Sequence, residues 1–147
     1  MFKNILVPTD GSSFSNKAVA TAARLAQCLH ARLLVLHVRS PLESPHHVEG
    51  GALSNLGGQA VMQEIEEEER KLLDAAVELA AVDGAKAEPA FVAGYSTHEA
   101  IIRIAREQDC DLIVMASHGR RGISGLLLGS ETQKVLTHTT VPVLIVR

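Results

Sequence analysis

Four short runs of branched aliphatic residues constrain this chain more than anything else in it: Ile5 to Val7, Leu33 to Val38, Leu112 to Met115 and Val141 to Val146. Each is too short for a helix and is apolar at consecutive positions instead of alternate ones. A strand with water on one face alternates. A strand covered on both faces reads as a continuous run, and such strands belong to parallel sheets clothed by helices on either side. Ala87 to Val92 is a fifth, weaker run; Pro89 within it lacks the N–H that a central strand uses, so this strand suits a sheet edge.

The stretches between the runs carry helical periodicity. Val19, Ala22, Ala23, Ala26 and Leu29 repeat at helical spacing after the polar cluster SSFSN, and the alanines let that helix lie close to a sheet. Ile65, Leu72, Leu73, Ala76 and Ala80 mark a longer helix, whose opposite side bears Glu66 to Glu69. That side reads as a solvated face, because Glu66 with Arg70 and Glu67 with Lys71 stand in the favourable i, i+4 order. Ser96 to Glu99 has the S-x-x-E pattern of a capping box ahead of Ile101, Ile104 and Ala105, which predicts a third helix. Gly129 and Ser130 precede a short fourth one with Val135 and Leu136 inward. The order β-α-β-α-β-α-β-α-β with right-handed crossovers predicts an α/β fold, a doubly wound five-stranded parallel sheet with helices on both faces. Pro41 to Gly58 is the one long irregular segment and reads as a mobile surface excursion or a partner-facing loop. The 147 residues show no repeat and no linker, so a single domain over 1–147 is expected.

Composition then excludes function classes. A hydrophobic content of 46% suffices for a core without disulfides or a structural metal, and Cys28 and Cys110, far apart, read as reduced core thiols. Fourteen basic against 17 acidic residues leave a net charge of -3, so no basic surface is expected for a nucleic-acid backbone. One tyrosine, three phenylalanines and no tryptophan argue against a base-stacking platform. No apolar run approaches the roughly 20 residues that cross a membrane, and Pro8 and Asp10-Gly11 arrive before a signal-peptide core could form. The expectation is a cytoplasmic protein without membrane or nucleic-acid partners.

In open α/β sheets ligands lie beyond the carboxyl ends of the strands, where strand order reverses. After the first run comes Pro8-Thr9-Asp10-Gly11-Ser12; after Met115 comes Ala116-Ser117-His118-Gly119-Arg120-Arg121-Gly122, then Gly125 and Gly129-Ser130. If those two strands are neighbours, both loops flank one crevice. The second loop ends at a helix N-terminus, where unpaired N–H groups and the helix dipole favour a phosphate. A single loop glycine often only permits a tight turn, so the argument rests on Gly119, Gly122, Gly125 and Gly129 together with two arginines and a helix start. Neither a Walker A loop nor G-x-G-x-x-G is present. Asp10, at the mouth of the first strand, suits ribose hydroxyls or a Mg²⁺ that bridges phosphates. His37 reads as a satisfied core or rim histidine, and His46-His47 lack metal-ligand spacing. Ser117-His118 has no acidic third member, and neighbours at a strand end rarely face each other as nucleophile and base, so no catalytic residue is assigned.

At these residues the chain resembles the universal stress protein family over its full length, from the opening ILVPTDGS to the closing VPVLIVR. The family's ATP-binding motif, G-x2-G-x9-G-[ST], reads here Ala116-x2-Gly119-x9-Gly129-Ser130, with alanine for the first glycine. The resemblance implies a Rossmann-like, adenine nucleotide alpha hydrolase-like sheet that binds ATP or AMP, with Mg²⁺ or Mn²⁺ bridging the phosphates. It implies Pro8, Thr9 and Asp10 along the adenosine with Asp10 on the ribose, Val38 pairing its backbone with the adenine edge, and Met115 beside the base. It implies Gly119, Gly129, Ser130 and Thr132 on the phosphates, with Ala116 and Arg120 in the same motif. Glu131, in the first helical turn, is expected to point to solvent. The function so implied is stress response or signalling through the bound state, with at most slow ATP hydrolysis or autophosphorylation. The alternative is a nucleotide-free dimeric interaction module that recruits protein partners, for which Ala116 is the main support. A homodimer is expected from the residues themselves, because Val141 to Val146 is apolar on both faces and no helix follows to cover it, which invites antiparallel pairing with its own copy. The resemblance implies the same edge.

Overall fold

The computed structural model describes residues 1–40, 55–118 and 128–147, without the side chains of 55–58. Along it run β1 (Asn4–Pro8), α1 (Ser13–Leu29), β2 (Arg32–Arg39), α2 (Asn55–Val82), β3 (Ala87–Ala93), α3 (Thr97–Glu107), β4 (Leu112–Ala116), α4 (Ser130–His138) and β5 (Val143–Val146). The strands form one sheet in the order β3-β2-β1-β4-β5, every neighbouring pair parallel. The fold is therefore the doubly wound α/β sheet that the apolar runs predict, with β3 and its Pro89 at an edge.

Because side chains alternate along a strand, each continuous run supplies both faces. Ile5, Val7, Leu33, Val35, Leu112 and Val114 pack under α1 and α2, against Val19, Ala22, Ala26, Leu73, Ala76 and Ala80. Leu6, Leu34, Leu36, Val38, Ile113 and Met115 pack under α3 and α4, against Ala100, Ile101, Ile104 and Val135. Among the described residues no helix is long and apolar enough to cross a membrane.

Several local expectations are corrected. The helix α2 begins at Asn55, so the upper end of the Pro41 to Gly58 excursion is helical; each glycine there costs about 1 kcal/mol against alanine, too little to stop a helix continued by a long periodic stretch. The rest of that excursion lies outside the described residues. Glu67 pairs with Lys71 as expected, but Arg70 pairs with Asp74 instead of Glu66. Glu69 is not on a solvated face: it turns onto β2, toward His37 and Arg39. Leu136 is 40% exposed, and only Val135 of that pair points inward. Cys110 is buried, whereas Cys28 lies on the outer side of α1, off the stripe formed by Ala18, Val19, Ala22, Ala23 and Ala26. Ser96 does precede α3, but the reciprocal capping box does not form; its hydroxyl donates to the Glu99 carboxylate instead of accepting from the backbone.

The amino ends of the central strands are tied by Asp111. Its carboxylate accepts from Lys3 N–H at 2.8 Å and Asn4 N–H at 3.0 Å, while its own N–H donates to Asn4 O at 2.9 Å. Burial pushes this carboxyl up, but the N–H bonds from Asn4, Lys3 and its own backbone, with the charge of the chain's amino terminus, outweigh it and hold it below the usual aspartate value. A depressed folded value adds stability above the unfolded pKa of about 3.9, which is lost as pH falls through the folded value. Asp111→Ala is expected to cost about 1 kcal/mol at neutral pH, or roughly 3 °C in Tm, given the exposed setting. Thermal unfolding of both proteins from pH 7 down to pH 2 checks it: the difference must shrink at the acid end.

Candidate functional site

The strand order reverses between β1 and β4, so their carboxyl ends open the crevice expected of a switch point. On the β1 side the chain turns sharply into α1. Thr9 is buried, its Oγ1 lies 3.1 Å from Ser15 Oγ, and it accepts from Gly11 N–H at 3.1 Å. Asp10 Oδ1 accepts from Ser12 N–H at 3.0 Å, which shapes the turn, and Gly11 sits at φ 75°, a left-handed conformation that suits glycine. Ser12 then caps α1 by accepting from Ser15 N–H at 3.2 Å.

On the β4 side Ala116 ends the strand. Thr132 Oγ1, from the first turn of α4, donates to Ala116 O at 3.0 Å, and Gly129 N–H donates to Ser117 O at 2.7 Å. These two bonds hold the α4 N-terminus against the strand end. Gly129 is the N-cap, and among the described residues no side chain makes a capping hydrogen bond there. The N–H groups of the first turn, at Ser130, Glu131 and Thr132, therefore open at the crevice with the positive end of the dipole. The two loops meet where Phe14 of α1 packs on the His118 ring, with 5.9 Å between centroids.

Pro8, Val38 and Met115 stand on the α3/α4 face of three adjacent strands, β1, β2 and β4, as Leu6, Leu36 and Ile113 before them show. The α4 N-terminus is on that same face, so the structure brings Pro8, Asp10, Val38, Met115, Ala116, Gly129, Ser130 and Thr132 to one end of the sheet. Thr132 is buried with its hydroxyl proton committed to Ala116 O, which leaves its backbone N–H as the donor toward an anion. Ser130 is exposed. Gly119, Arg120, Arg121, Gly122 and Gly125 lie outside the described residues.

Glu131 does not point to solvent. It accepts from His98 N–H at 2.9 Å and from His98 Nδ1 at 3.2 Å, and Lys134 Nζ lies 2.8 Å away. Burial pushes this carboxyl up, but Lys134 and the His98 backbone and ring outweigh it and hold it below the usual glutamate value. A carboxylate of α4 thus caps α3, which draws its charge away from the helix start. Ser117 and His118, set aside from the sequence as unlikely to face each other, do meet, with Ser117 Oγ 3.0 Å from Nδ1. Among the described residues His118 Nε2 is buried without a partner, and none of them that is acidic orients the ring. Among the described residues no group of three or more His, Cys, Asp or Glu is placed to hold a metal ion.

His37 is the satisfied core histidine that the sequence suggests, buried and bonded. Its ring lies 2.9 Å from Thr9 O, directly behind the β1 turn. The signal was present: His37 and Arg39 put two polar side chains on one face of an otherwise apolar strand.

Comparison with known proteins agrees with this fold. The family model for the universal stress protein family matches residues 1–147. The universal stress protein YxiE of Bacillus subtilis (strain 168) is 37% identical over 149 residues, covering all of both chains. The universal stress protein MJ0577 of Methanocaldococcus jannaschii is 30% identical over 158 residues, covering all of this chain and 96% of that one. A crystal structure of a universal stress protein in complex with cAMP superposes with a TM-score of 0.71 at 27% identity, over 99% of this chain and 97% of the other.

Proposed function

Since the chain belongs to the universal stress protein family, we propose that it binds an adenine nucleotide, ATP or AMP, in the crevice between β1 and β4, and serves stress response or signalling through that bound state. The observation that carries this reading is the α4 N-terminus, without a side-chain cap among the described residues and held by Gly129 and Thr132 at the sheet's switch point. The relative bound to cAMP supports the choice of adenine.

In this reading Asp10 takes the ribose, Pro8, Thr9 and Met115 line the adenosine, and Val38 meets the base edge. Ser130 and the N–H groups of the first turn, at Glu131 and Thr132, hold phosphates beside Gly129, whose own N–H is spent on Ser117 O, with Gly119 and Arg120 completing the motif. Asp10 would be the nearby anion for a Mg²⁺ or Mn²⁺, which would neutralise phosphate charge. The protein turns ATP over slowly at most, works as a single cytoplasmic domain, and dimerises through β5. One observation favours the nucleotide-free alternative: Gly129 is already needed for close approach to Ser117, with or without a ligand.

Calorimetry with ATP and Mg²⁺ is the test, and micromolar affinity is expected. Asp10→Ala should weaken ATP and adenosine alike by about tenfold, whereas Ser130→Ala should weaken ATP by about tenfold and spare adenosine. No heat at millimolar ATP would defeat the reading, and equal losses for both ligands in both variants would defeat the assigned roles.

A further inference from the structure

The ladder between β1 and β2 stops one bond short. Thr9 N–H donates to Leu36 O at 2.8 Å, and Gly94 N–H donates to Arg39 O at 3.2 Å on the other side of β2. Backbone groups alternate along a strand, so those of Leu34, Leu36 and Val38 face β1 and those of His37 and Arg39 face β3. One further step of a parallel ladder would run from Val38 N–H to Thr9 O. Among the described residues no such bond is made. The His37 ring takes the carbonyl instead, with Nδ1 at 2.9 Å from Thr9 O. A carbonyl only accepts, so Nδ1 carries the proton and donates. Gly11 then turns the chain away, and the Gly11 and Ser12 N–H groups bond back to Thr9 Oγ1 and Asp10 Oδ1. The β1 register ends at Pro8 opposite Leu36, so no residue of that strand stands opposite Val38.

His37 is held in place for this. It is buried, its ring stacks on Phe91 at 6.1 Å, and its Nε2 lies 3.8 Å from Glu69 Oε1. Arg39 Nη1 approaches the other oxygen of Glu69 at 3.3 Å and its guanidinium lies over the Phe91 ring. The turned-in Glu69 thus belongs to a buried polar group behind the crevice.

We infer that His37 is a positioning residue for base recognition: by occupying the Thr9 carbonyl it keeps the Val38 N–H and C=O out of the sheet and presents them to the edge of a purine. The N–H and C=O of one residue form a donor beside an acceptor. That pair matches N1 and the N6 amino group of adenine, and it sets donor against donor and acceptor against acceptor on guanine, which is discrimination by mismatch. The ligand half of this inference rests on the proposed nucleotide reading; the backbone half does not.

Two measurements separate the halves. Without nucleotide, the Val38 amide hydrogen should exchange at least about tenfold faster than that of Leu36, and should slow in His37→Leu, where Thr9 O is given back to the ladder. With nucleotide, folded His37→Leu should bind ATP about tenfold more weakly, bind tripolyphosphate unchanged, and lose most of its preference for ATP over GTP. His37→Asn, whose side-chain N–H can occupy the Nδ1 position, should restore affinity and preference. Equal protection of Val38 and Leu36 in the wild type overturns the inference, even if His37→Leu fails to fold. An unchanged ATP-to-GTP preference in a folded His37→Leu overturns it too. Fast Val38 exchange that slows in His37→Leu, in a protein that binds no ATP, supports the backbone half and overturns the nucleotide reading and the ligand half with it.

Discussion

Gly129→Val is expected to remove ATP binding at millimolar nucleotide and to lower the unfolding temperature by several degrees. The backbone here has φ -57°, which any residue adopts, so the demand for glycine is one of space. A Cβ at this position would stand 3.2 Å from Ser117 O and 3.5 Å from His118 Cα, both backbone atoms fixed at the end of β4. Ser117 O must give way slightly, while the 2.7 Å bond from Gly129 N–H to that same atom pulls the two segments together. Valine adds two methyl groups at the N-cap, in front of the N–H groups that the proposed phosphates approach. Overpacking of this kind costs about 1–3 kcal/mol, or roughly 3–8 °C in a chain of this size. Loss of several N–H to phosphate bonds should weaken ATP by more than about 100-fold. Calorimetry and thermal unfolding read the two effects separately, and Ser130→Ala, which leaves the close approach intact, should show only part of the first. Wild-type Tm together with wild-type ATP affinity in Gly129→Val would remove both the packing argument and the phosphate cradle.

Leu144→Lys is expected to convert a dimer into a monomer of 15.7 kDa. The strand β5 lies at the sheet edge, none of its residues is fully buried within one chain, and Leu144 is 38% exposed. Pro142 precedes the strand and pairing begins at Val143, so the apolar edge is short and invites one partner strand instead of an extended sheet. Burying a lysine in a twofold apolar interface places two unpaired charges side by side, at a cost of several kcal/mol, and should raise the dimer dissociation constant by more than about 100-fold. Val146 is left alone, since it packs against the core beneath α1. Light scattering at micromolar protein decides the matter. A wild type that already runs as a monomer would end the dimer proposal.

What the sequence made legible was local. The missing N–H of Pro89 is a covalent property, and it placed β3 at an edge without knowledge of any neighbour. Continuous aliphatic runs gave the strands and the helix-covered faces. Adjacency of β1 and β4 could only be stated as a condition, because residues 5 and 112 meet through topology. Glu69 was misjudged for the same reason. Helical spacing named its neighbours along α2, while its partners His37 and Arg39 come from a strand. Glu131 likewise satisfies an N–H of α3, which no count of residues along α4 reveals. Of the site, the sequence marked the glycine and serine at the start of α4 and the acidic turn after β1, both local motifs. The bond from His37 to Thr9 depends on the register of Pro8 with Leu36, and register is not written in either strand by itself.

The central position of β1 also sets an order of events during synthesis. Its first partner, β2, follows within one helix, and β3 adds beyond β2, so an amino-terminal half-sheet has all its strands before β4 leaves the ribosome. Until then the other flank of β1 is an unpaired edge of a nascent chain. The crevice does not exist in that intermediate, because one of its walls is still unmade. A ligand seated there can act only once β4 is in place, where it would resist the separation of β4 from β1 and slow the reopening of the seam between the two halves.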